Sequence, residues 1–305
     1  AGNTVLGESA LDASVSGENN TAIGKAALGA LTSAAHCTAV GAFALDANTT
    51  GNSNTGLGRN ALGANISGAA NTAVGALALE ANSTGAQNTA VGALALDDNT
   101  TADNNTAVGY NSLGLNTTGD SNVAVGHNSL DANTTGGNNT GLGQRALTSN
   151  TTASNNTAVG TNSLGSNTSG TQNVAVGAFA LDANTTANSN TAVGYFALTL
   201  ATTGESNTAV GDRACEDLTT ASNVTALGTQ ALANNTTGGS NTAFGMQSLF
   251  TNTTGASNVA VGKDALRANT TASNNTAVGT DALTANTTGT DNVAIGAGAA
   301  ILNTT

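Results

Sequence analysis

The side chains able to do chemistry are few, and their spacing argues against a catalytic centre. The two histidines, His36 and His127, and the two cysteines, Cys37 and Cys215, fall at unrelated points of the chain. No Cys/His/Asp cluster has the spacing of metal ligands. Aspartate recurs at Asp12, Asp46, Asp97, Asp131 and Asp182, always a multiple of 17 residues apart but with gaps, which suits solvation better than ligation. What recurs far more densely is Asn-x-Thr/Ser, at Asn48, Asn65, Asn82, Asn99, Asn116, Asn133, Asn150, Asn167, Asn184, Asn235, Asn252, Asn269 and Asn286. Three readings of this series stand side by side. The residues suit turn chemistry, Asn and Thr side chains bonding to nearby backbone ahead of a Gly. They match the acceptor pattern for N-linked glycans. They would also supply a flat Thr/Asn face able to order water and bind ice. Enzymes gather unlike residues at one place, whereas this chain repeats like residues everywhere, so neither an enzyme nor a cofactor is expected.

The elements that must position these residues follow from one register. A Gly stands at 7, 24, 41 and onward to 296, eighteen times at a period of 17 with no slip. Counted from that Gly as position 1, the unit reads Gly-x-x-Ala-Leu-x-Ala-Asn-Thr-Thr-Gly-x-x-Asn-Thr-Ala-Val. A short fixed period means units that cannot bury their apolar faces alone and must stack. Thr-Ala-Val at positions 15 to 17 reads as a strand, because branched Cβ atoms pack well on a pleated surface. A helix is excluded by the Gly, Asn and Thr content and by the lack of a 3.6-residue apolar run. The absence of Pro fits a backbone whose N–H groups are needed between coils. The expected fold is all-β, a parallel β-solenoid (β-roll) of about 18 coils with 17 residues per coil, spanning 1–305 as a single uninterrupted array without visible caps.

Leu at position 5 and the apolar residue at position 17 are expected to fill the core. Strand alternation then turns position 16 outward. Position 16 is Ala or Gly in all but Val5, so Ala73, Ala90, Ala107, Ala124, Ala158 and Ala175 would form a small-residue ladder suited to close contact between chains, trimerisation being the arrangement expected. The alternative is a tightly folded second layer within one chain. Asn at position 14 would form a second ladder, its amides bonding from coil to coil at a turn. The two cysteines are 178 residues, about ten coils, apart and are expected to be unpaired within the chain.

Composition sets the remaining limits. Only 8 % of residues are charged, 2 % are aromatic and the net charge is −12, which excludes a basic nucleic-acid binder and a charge-rich disordered segment. No apolar run reaches 18 residues, so no membrane span is expected. Array ends without caps invite pairing, which leaves open a segment of a longer fibre or molecules stacked end to end.

The run Asn-Thr-Ala-Val-Gly followed by Ala-Leu and Asn-Thr-Thr-Gly, as in 275–289 and, with Ser83 for one Thr, 71–85, resembles the head repeats of trimeric autotransporter adhesins. It also resembles the repeat stalks of phage tail fibres that end in a self-cleaving endosialidase-type chaperone. The adhesin head period is shorter than 17. The resemblance implies a left-handed β-roll, display on a cell surface or virion fibre, and adhesion. The expected function is therefore an extracellular structural and adhesive fibre, a homo-oligomer or filament whose further partner is a host, surface or matrix carbohydrate. An ice-binding β-solenoid is the alternative.

Overall fold

The computed structural model describes residues 2–304. Among them lie eighteen three-residue strands, one per period, and no helix. The chain divides into two units, residues 1–154 with β1 (Thr4–Leu6) to β9 (Thr140–Leu142), and residues 155–305 with β10 (Thr157–Val159) to β18 (Val293–Ile295). Within each unit neighbouring strands are parallel and shifted by one period. Thr72, Ala73 and Val74 pair with Thr89, Ala90 and Val91, for example. The protein is a β-solenoid with 17-residue coils.

Most of each coil is turn, and the invariant Gly shows why the period tolerates no substitution there. Gly109 has φ +135°, and a Cβ on it would lie 2.7 Å from the carbonyl oxygen of Gly126 in the next coil. Beyond the Gly, the N–H of Ala44 donates to the Gly41 carbonyl at 3.3 Å with Phe43 at φ 61°, the pattern of a type II turn. Leu45 is left-handed as well, at φ 52°. A left-handed L-residue costs roughly 1–2 kcal/mol, and full burial of a Leu returns about the same amount or more. Leu45 N–H also donates to the Ala61 carbonyl of the next coil at 3.0 Å.

The apolar interior differs from the expected one at the strand. Leu at position 5 is buried, but the strand presents its middle residue, not its last, to the core. Ala73, Ala90, Ala107, Ala124, Ala158 and Ala175 are completely enclosed, and the flanking Thr and Val point outward. The reason is space. At Gly56, which replaces Ala at this position, an added Cβ would sit 3.0 Å from the Ala61 carbonyl oxygen of the next coil and 3.4 Å from Leu45 Cγ of its own, so backbone and Leu together leave room for no more than a methyl group. A Val would overfill it.

Asparagine supplies the rest of the core. At position 14, Asn71 accepts a bond from the N–H of Asn88 at 2.9 Å and donates to the Gly85 carbonyl at 2.8 Å. This ladder runs from side chain to backbone. At position 8, Asn116 donates to Asn99 Oδ1 and to the Gly119 carbonyl, both at 3.0 Å, and accepts from Asn133 Nδ2 at 2.8 Å. This second ladder is the amide-to-amide one. Two coils abandon both together: Leu31 with Cys37, and Leu218 with Val224. Each position-11 carbonyl accepts from position 8 of its own coil and from position 14 of the coil before, as Gly85 does from Asn82 and Asn71, and the Ala34 and Ala221 carbonyls beside Leu31 and Leu218 keep Asn20 and Asn207 as donors. In the following coils Asn54 and Asn241 also turn their amides to their own Gly51 and Gly238 carbonyls, each at 3.1 Å.

Candidate interaction surfaces

With Asn and Ala inside, the surface is built from other positions. The outward strand face carries Thr at 15 and Val at 17, repeated one strand spacing apart, about 4.8 Å. Position 17 admits larger residues, several of them well exposed: Leu57 at 46 %, Leu142 at 44 % and Phe244 at 51 %. That tolerance for size was the sequence signal that position 17 lies outside. Position 16 never admits such residues among its enclosed members.

The glycan-acceptor reading of position 8 does not survive this geometry. Asn48, Asn65, Asn82, Asn99, Asn116, Asn133, Asn150, Asn167, Asn184, Asn235, Asn252, Asn269 and Asn286 are all fully buried, and a glycan on Nδ2 would have to displace the ladder. A Thr/Asn face is excluded for the same reason. The turn reading of these residues is the one the hydrogen bonds support. The ladder of Ala73 to Ala175 likewise cannot touch another chain, since no part of it reaches the surface. At the corner that follows, the position-9 hydroxyl is also committed, Thr100 donating to the Thr117 carbonyl at 3.1 Å. The position-10 Thr or Ser is exposed in every described coil.

The variable positions gather into local clusters. Tyr110 stacks on His127 with centroids 5.5 Å apart. Phe179 stacks on Phe196 at 5.1 Å, Tyr195 meets Phe196 edge-on, and the Arg213 guanidinium lies 5.9 Å from the Phe196 centroid. The ion pair between Lys25 and Glu8, at 3.6 Å, is exposed, and exposed pairs contribute little. Cys37 and Cys215 are free, buried thiols, and burial pushes both up from the usual thiol range. Asp97 is pushed up to about 6, first by burial and then by the charges of Glu80 and Asp98. Burial also raises Asp46 and Asp182. No group of three His, Cys, Asp or Glu among the described residues could hold a metal ion. No helix there is long and apolar enough to cross a membrane.

No family model matches the chain, and no curated protein matches it.

Proposed function

We propose that this chain is the structural repeat element of an extracellular adhesive fibre, and that copies associate through the outward Thr/Val strand face. The observation that carries the reading is the stripe of position-17 side chains, in register from coil to coil and free of charge. An ordered apolar stripe of this kind is a favoured contact surface. Association is also supported by the repetition of the same residues from coil to coil. Replacing Leu57, Val91 and Leu142 together by Lys should separate associated chains while leaving the coils folded, because all three side chains are already exposed. Sedimentation of the unmutated protein as a monomer at micromolar concentration would refute the reading.

The same face favours one other reading. The row of outward Thr hydroxyls and methyls, spaced by the strands themselves, would suit ordered water and hence ice. A monomer that shapes ice crystals, and loses that effect when Thr72, Thr89 and Thr106 are changed to Lys, would establish it in place of the fibre.

A further inference from the structure

A notch opens beside one coil of the first unit. At position 6 the first unit carries Asp46, then Gly63, then Glu80 in three successive coils, and beside Gly63 lies an open notch of about 480 Å³. Phe43, Arg59 and Asn60 complete its walls. Phe43 is 40 % exposed despite its size. Asn60 donates from Nδ2 to Glu80 Oε1 at 2.6 Å, which fixes both polar groups at the rim.

We propose that this notch binds a single neutral hexose-type sugar unit of a surface or matrix polysaccharide. The inference deepens the adhesive reading and rests on it. An aromatic ring beside a gap offers a platform for the apolar C–H face of a pyranose. The two carboxylates accept from hydroxyls, and the guanidinium and the amide donate to them. The mixture of signs selects against charge: an anion meets Asp46 and Glu80, a cation meets Arg59, and a neutral ligand with alternating donors and acceptors meets neither penalty.

Two substitutions test the site without disturbing the coil. Phe43→Asn removes the platform at a left-handed position where Asn60, Asn111 and Asn128 already stand. Gly63→Thr intrudes on the notch, and Thr148 shows that the coil accepts Thr at position 6, its hydroxyl donating to Asp131 at 2.7 Å. The probes are the methyl glycosides of glucose, galactose, mannose and N-acetylglucosamine, titrated into the full chain by saturation-transfer NMR at millimolar concentration. We expect transfer from the unmutated protein to at least one glycoside, with affinity at least tenfold weaker in both variants and circular dichroism unchanged. Absence of transfer to all four, or wild-type binding in either variant, would overturn the site. Light scattering on the same samples separates the two ideas: a monomer that binds a sugar sinks the fibre and spares the site, and associating chains that bind none do the reverse.

Discussion

Single residues in this protein matter according to which side of the coil they face. Asn116 makes three amide bonds inside, so Asn116→Asp, which removes the donor and buries a charge, should cost roughly 2 kcal/mol or more. Thr118→Asp, two residues on and exposed, should shift stability by under about 0.5 kcal/mol. Thermal melts followed by circular dichroism would compare the pair, and equal losses would show that the inward face is misassigned. Asp97 makes the opposite case. Its carboxyl, raised from 3.8 to about 6 by burial and by Glu80 and Asp98, has one oxygen without a hydrogen-bond partner. A folded-state value above the unfolded one means that the folded protein holds the proton longer, so stability is highest below about pH 4 for this group and falls as pH rises through 6. Solvent screening of a half-buried side chain reduces the effect to about 1 kcal/mol. Asp97→Asn should therefore raise the melting temperature at pH 7 and leave it unchanged at pH 4.

The coil is the element, and its turns are what sequence reasoning saw least well. Gly at position 1 was legible because only Gly recurs there without exception, and its φ near +135° is the reason. Gly109→Ala should open the coils around it, at a cost of several kcal/mol from backbone strain and the approach to the Gly126 carbonyl. Hydrogen exchange resolved by coil would show local loss of protection. The left-handed Leu at position 5 was not legible, since branched apolar side chains seldom occupy that region and nothing in the residue type announces it. The exceptions at positions 8 and 14 were visible in the sequence, but the sharing of one carbonyl by position 8 of a coil and position 14 of the coil before was not. Leu218→Asn and Val224→Asn, each placing an amide at a fully buried apolar site, should each destabilise by about 1–3 kcal/mol in urea unfolding.

At the scale of the whole molecule, the association proposed for the strand face makes a concentration-dependent prediction. Stability gained by binding another copy rises with concentration, so the melting temperature of the unmutated protein should climb on tenfold concentration. The Leu57→Lys, Val91→Lys, Leu142→Lys variant should melt at one temperature throughout. A concentration-independent melt for both would leave the exposed stripe without a role in assembly.

The sequence alone determined the β-solenoid, the length of its coil, the place of each strand and the Leu column, because a strict period forces equivalent residues into stacked columns and strand alternation is a local property. Only the tertiary structure decided which strand face turns inward. Alternation is satisfied equally by Val inside with Ala outside and by the reverse, and the choice depends on how much room Leu45 and its equivalents leave across the coil. That room is one methyl group, so Ala went in, Val went out, and the Asn residues that resembled surface acceptors became the polar half of the core.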